Sequence, residues 1–240
     1  MKNLSLYMKL NTLLLAIAAL CLTACGNQNV RETVRNIAEQ QVDTTGYESR
    51  QLQLAPFSAL TVSCFADVTY HQSDAFRIEV QAPKSIIDKV EAKVDDEELE
   101  IGLKRMQNQP HNTVAVIHVY APTVNDFALN GAKCLRLGNV KLSTPVKITL
   151  AGVGIVTAEK LKATRIEADL EGAGNIDLRG IDTPSLNAAL EGAGNITLSG
   201  KAKKARVELN GTGNIDVSKL QTQEKMDSHV NGVGNIVTKS

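Results

Sequence analysis

The sequence contains no tryptophan and only four phenylalanines and four tyrosines in 240 residues. Sugar faces are usually gripped by stacked rings, so this shortage argues against a conventional lectin. Net charge is also missing: 26 basic residues balance 26 acidic ones. Nucleic-acid binders advertise a basic stripe, so no nucleic-acid partner is expected. The four histidines, at 71, 111, 118 and 229, form no nucleophile–base pattern, and no Cys/His spacing matches a metal site. No cofactor and no metal are expected. No apolar run reaches the ~20 residues of a membrane-spanning helix.

The apolar run that does exist, "LLLAIAALCL", follows Lys2 and Lys9 and leads into "LTAC" at Leu22–Cys25. That is a secretory signal layout, and "LTAC" resembles the bacterial lipobox. The resemblance implies cleavage before Cys25 and a lipid on that residue. A plain signal peptide with an incidental cysteine is the alternative. Residues 1–24 are read as a lipoprotein signal peptide and 25–50 as a polar tether, with Val30, Val34 and Ile37 at the spacing of a short helix. Loss of the two signal lysines leaves a mature charge of −2. Membrane attachment would therefore rest on the lipid, without a polybasic segment beside it. Cys64 and Cys134 would remain, as buried thiols or as a pair.

Residues 51–240 are read as one β domain. "LTVSCFADVTY", "FRIEVQA", "ELEIGLK" and "TVAVIHVYAP" alternate apolar and polar residues with a period of two, the signal of half-buried strands. "PKSIIDKVEAKV" has room for a helical turn. From residue 125 the chain repeats. Glycines at 131, 152, 172, 192, 211 and 232 recur at 19 to 21 residues, a solenoid period. Each unit reads apolar-x-G-x-G-N-I, with the coil at Gly152 taken as one residue short because Ile155 follows Gly154. The expected fold is all-β, a parallel β-helix-like solenoid of ~20-residue coils with a less regular β N-terminal part. The handedness of parallel crossovers makes the coil right-handed.

Stacked coils would place like residues one above another. Leu129, Leu150, Leu170, Leu190, Leu209 and Val230 form an inward column. Asp126, Lys147, Glu167, Asn187, Arg206 and Asp227 form an outward column of complementary charge. Asn175, Asn195, Asn214 and Asn235 fall into a corner ladder, since an amide can donate to one neighbour and accept from the other. Glu171 falls against Glu191, either as two solvated side chains or as a cation or partner face. Nine-residue calcium repeats do not fit this period, so no structural calcium is expected.

The phrases "EGAGNI" (twice), "NGTGNI" and "NGVGNI" resemble the bacterial GIN domain, labelled as the putative head domain of auto-transporter adhesins. "FSALTVSCFADVTYHQSDAFRIEVQAP" and "VIHVYAPTVNDFALNGA" resemble the opening and middle of that family. The resemblance covers about residues 51–240. It implies a secreted or lipid-anchored β-solenoid and supplies no catalytic residues. Cys64, Ala66 and Cys134 depart from the glycine and asparagine positions of the motif.

These observations predict a lipid-anchored envelope protein of the outer membrane that binds an envelope or surface partner without catalysis. The alternative is a polysaccharide-binding or polysaccharide-cleaving β-helix, with Asp169, Glu171, Glu191 and Glu208 as its carboxylates. The chain's last coil, uncovered, would favour weak self-association by strand addition.

Overall fold

The computed structural model describes residues 42–104 and 113–239. Cys25 and the helical spacing at Val30–Ile37 lie outside them. The described chain is nearly all strand, coiled into a β-solenoid of about 5 turns with coils of about 21 residues. The one helical element among the described residues is a 3-10 turn, Ile87–Lys89, within the segment read as a helical turn.

The N-terminal part does not stack in chain order. Strands β1 (Glu48–Gln53), β2 (Ala59–Val62), β3 (Phe65–Gln72), β4 (Arg77–Ala82), β5 (Val90–Asp95), β6 (Glu98–Leu103) and β7 (Ala115–Ala121) come first. Then β8 (Asp126–Leu129) and β9 (Ala132–Lys141) open the regular repeat. β2 and β3 pair in parallel with β8 and β9 on one side, and with β6 and β7 on the other. A coil early in sequence thus lies between two later ones. β5 pairs antiparallel to β6, β4 to β7, and β1 to β4, and these reversed strands close this end. Pairing starts at Glu48, so the sheet takes in Glu48, Ser49 and Arg50 of the segment read as tether.

The regular part continues through β10 (Val146–Leu150), β11 (Val153–Lys162), β12 (Ile166–Leu170), β13 (Ala173–Leu190), β14 (Ala193–Leu209), β15 (Thr212–Thr222), β16 (Asp227–Val230) and β17 (Val233–Val237). Each coil has three stretches. The first ends in the apolar-x-Gly corner. The second follows the corner, and a short third one follows an irregularity such as the shift between Leu178 and Ile181. All pairings between these coils are parallel.

The inward column is as expected. Leu129, Leu150, Leu170, Leu190 and Leu209 are mutually in register and fully buried. Each stabilises by roughly 1.5–3 kcal/mol. Val230 continues the column but is 49% exposed, since no further coil covers it among the described residues. Tyr70 and Phe127 fill the early coils, edge to face at 5.1 Å, and the Tyr70 hydroxyl donates to the Ala121 carbonyl at 2.8 Å. The outward charge column is also in register, with Lys147 between Asp126 and Glu167. Arg206 sits beside Asp227 and pairs with it at 3.2 Å.

The coil at Gly152 is not short. Ile155 pairs with Asn175 and Val156 with Ile176, so Ile155 occupies the asparagine position and Val156 the inward one. Val156 is fully buried. An apolar residue in a polar position had hidden the alignment.

The glycines are required by the stacking. Gly194 has φ +148°, and a Cβ there would overlap the backbone carbonyl oxygen of Gly174 in the neighbouring coil. Gly194→Ala should therefore cost at least about 3 kcal/mol, from backbone strain plus a steric clash that side chains cannot relieve. Gly102→Ala meets open space and should change stability by less than about 0.5 kcal/mol. Urea unfolding of both variants checks this; equal stabilities would show that the corner has slack.

Candidate functional site

The second stretch presents parallel outward rows, each crossing several coils. One row holds Asn175, Asn195, Asn214 and Asn235 in register. The Asn195 amide donates to the Asn175 side-chain oxygen at 3.0 Å, and Asn214 donates to that of Asn195 at 3.2 Å. Asn214 is buried, and Asn235 continues the row in the exposed last coil. A second rung of this kind lies at the corner, where Asn231 donates to Asn210 at 3.1 Å. The repeat motif does not flag it, because its position varies. Glu171 and Glu191 occupy that same corner column, both exposed. Among the described residues, no cluster of three or more metal-ligating side chains occurs.

Of the carboxylates weighed for catalysis, Asp169 and Glu208 share a row, separated by Ala189. Burial pushes the Asp169 carboxyl up against the pull of Lys147, and Glu167, Glu171 and Glu191 add to the rise.

Traced toward the N-terminal end, the asparagine row becomes Ile155, Cys134 and then Asp67. Asp67 is 4% exposed. Burying a carboxylate is costly unless cations meet it, and two do. Arg136 pairs with it, and the Lys133 ammonium lies 3.3 Å away. Lys133 stands where later coils have their second glycine and keeps a left-handed φ of +95°. Next to this cluster, Cys134 and Cys64 are free and buried. Burial pushes both thiols up to about 11, so they are inert at neutral pH.

The adjoining row runs Glu79, His118, Thr69, Arg136, Thr157 and Asp177. His71 lies one step beyond and shares a 3.0 Å hydrogen bond with His118. Its ring stacks on Tyr120, which in turn carries the Arg77 guanidinium at 3.9 Å. Beside His118 a groove of about 540 Å³ opens, floored by Asp67, Thr69, Arg136 and Thr157 and bordered by Glu159 and Arg179. Val42 and Thr44, ahead of β1, line it from the other side. The site thus offers hydroxyls, an imidazole and charges of both signs on a rigid sheet.

None of these groove residues was singled out by motif. Asp67 and Arg136 are 69 residues apart, and His71 and His118 are 47 apart. A usable signal was present: aligning "FADV" with "GAGNI" puts Asp67 in the asparagine column.

Two predictions follow from these rows. Asn195 both donates and accepts, so Asn195→Ala leaves two amides short. It should cost about 1–3 kcal/mol in urea unfolding. Unchanged stability would make the row ornamental. The second concerns His71. Burial depresses its pKa first, helped by His118 and Arg77 and opposed by Glu79. As pH falls below the unfolded value of about 6.5, the unfolded chain takes up a proton that the folded chain resists, so folding weakens. The melting temperature should fall more steeply between about pH 7 and 5 in the wild type than in His71→Gln. Parallel curves would remove His71 from the pH response.

The comparisons with known proteins agree with this fold. A putative adhesin from Bacteroides fragilis has a similar structure, with a TM-score of 0.62 at 17% identity over 80% of this chain and 96% of its own. A putative lipid binding protein from Parabacteroides distasonis aligns with a TM-score of 0.60 at 18% identity, over 81% and 97%. At such identities the likeness shows the fold alone. No curated protein matches the sequence. The family model described as "Putative auto-transporter adhesin, head GIN domain" matches residues 56–239, and the chain belongs to that family.

Proposed function

We propose that this chain is a lipid-anchored protein of the bacterial cell envelope whose solenoid is a non-enzymatic, adhesin-like recognition module. The observation that carries the reading is the groove over Asp67, Arg136 and Thr157. It combines polar groups of several kinds on a stiff face, as expected of a specific recognition site. Membership of an adhesin-named family supports the role, and the lipobox at Cys25 supports the anchor. The outer membrane is the expected location, and a surface or envelope component the expected partner.

A polysaccharide-cleaving reading has one observation in its favour, the raised carboxyl of Asp169 near Glu171 and Glu191. The groove over Asp67 includes none of these three residues, and the recognition reading accounts for more of the built surface.

Two measurements test the proposal. Cys25→Ser should abolish fatty-acid labelling and release the chain from membranes; unchanged partitioning would remove the anchor. Thr157→Trp should fill the groove beside Arg136 while removing none of the charges of the Asp67 ion cluster. In a Cys25→Ser background it should lose retention on envelope fractions while melting as before. Undiminished retention would remove the groove from recognition.

A further inference from the structure

The third stretch of the coils carries a charge pattern unlike the other two. Its outward residues form two rows along the solenoid axis. One holds Lys141, Lys162, Asp182, Lys201 and Gln221 in register. The other includes Asn139 beside Lys160, and Ser199 beside Lys219. Lys162 pairs with Asp182 at 2.5 Å. Lys141, Lys160, Lys201 and Lys219 are exposed and have no ion-pair partner among the described residues.

One contact in this row works against folding. Lys141 lies directly opposite Lys162, and like charges on paired strands are destabilising. The outward column of the first stretch avoids such contacts. At the turn leading out of the third stretch the excess continues. A groove of about 340 Å³ there is lined by Arg165, Lys204, Arg206 and Lys225 against Glu224 and Asp227.

We infer that this basic face is a docking track for an acidic polysaccharide. The inference names a partner class for the recognition reading and rests on that reading, but it uses a different face from the groove over Asp67. Charge complementarity requires an anionic partner. The shape then selects its kind. The track is one short strand wide and several coils long, with cations one or two coils apart, or roughly 5–10 Å at ordinary strand spacing. A chain carrying regularly spaced carboxylates matches that row. A bilayer fits less well, because among the described residues the large exposed apolar side chains are Phe65, Val230, Val233 and Val237, and none lies on this face to enter the headgroup region. Single-stranded nucleic acid fits less well, because bases need aromatic platforms and these rows have none. A sugar chain held by its carboxylates needs no ring stacking, which reconciles the partner with the scarcity of aromatics.

The test uses the full chain with Cys25→Ser, so that no lipid contributes to binding. Binding is measured to polygalacturonate, to neutral dextran, to phosphatidylglycerol-containing vesicles and to a single-stranded oligonucleotide. Polygalacturonate should bind most tightly, dextran should not bind, and added salt should release the polymer. Combined Lys141→Glu, Lys160→Glu, Lys201→Glu and Lys219→Glu should weaken polymer binding by about tenfold or more. A Lys→Gln set at the same positions provides a milder variant should the charge reversal disturb folding. The control reverses four lysines on or beside the capping strands, Lys84, Lys89, Lys93 and Lys104, giving the same change in net charge. It should keep affinity within about twofold, since those charges are remote from the track. Equal losses in both sets would reduce the effect to net charge and overturn the inference. Tighter binding of vesicles or oligonucleotide than of polygalacturonate would overturn it too. Failure here together with intact groove-dependent retention would leave the recognition reading standing; loss of both would end it.

Discussion

At every corner of the repeat, two successive backbone N–H groups converge on one carbonyl of the neighbouring coil. Glu191 and Gly192 both donate to Leu170 at 2.9 Å, and Asn210 and Gly211 both donate to Leu190 at 2.8 Å. That geometry brings the backbones so close that a Cβ on either corner glycine would strike a carbonyl oxygen of the adjacent coil. Glycine recurs because the approach excludes anything larger. The requirement explains the repeat of the sequence phrase, and it also keeps the coils in register. Once Gly174, Gly194, Gly213 and Gly234 are superposed, the residues around the corner face their counterparts, and the third stretch comes back into register after a shift.

Facing one's counterpart has opposite consequences for different side chains. Leucine gains, because each shields the next from water. Asparagine gains, because its amide is both donor and acceptor. Charges do not tolerate repetition, so the first stretch varies them from coil to coil, as at Asp126, Lys147 and Glu167. Glu171 against Glu191 escapes by standing at an exposed corner. The amide ladder ends at Ile155 and Cys134, and where the column turns polar again at Asp67, Lys133 and Arg136 meet the carboxylate with ion pairs. The polar groove grows out of that cluster.

These rules decide what was legible beforehand. The period, the inward leucines, the amide column and the charge column could be read because each depends on a residue and its neighbour one coil away. The early coils could not, because β2 and β3 lie between strands that come later in the chain. No period connects His71 with His118, or Asp67 with Arg136. The coil at Gly152 was misread for a smaller reason: Ile155 in the asparagine column looked like the inward isoleucine arriving early. Glycine was also the wrong marker for the first coils, since Cys64 stands by Gly131, and Ala66 by Lys133. The close approach there is accommodated by other means, including a left-handed φ at Lys133.

The interior and the surface of this solenoid therefore answer to different constraints. Inside, the stack is filled mainly by aliphatic side chains, with Tyr70 and Phe127 in the early coils. Outside, the economical surface would be neutral or alternate in sign, as much of the first stretch does. Two regions depart from that economy. One buries a carboxylate that the fold could have replaced with asparagine, as it does in four later coils. The other sets Lys141 against Lys162 where an acid would have been more stable. Neither departure helps the stack, and the two lie on different stretches of the coil. A stiff rod with two chemically distinct lateral faces can engage two features of a surface at once. Binding at one face then raises the effective concentration of the other's ligand, provided that the surface presents both within reach of the rod.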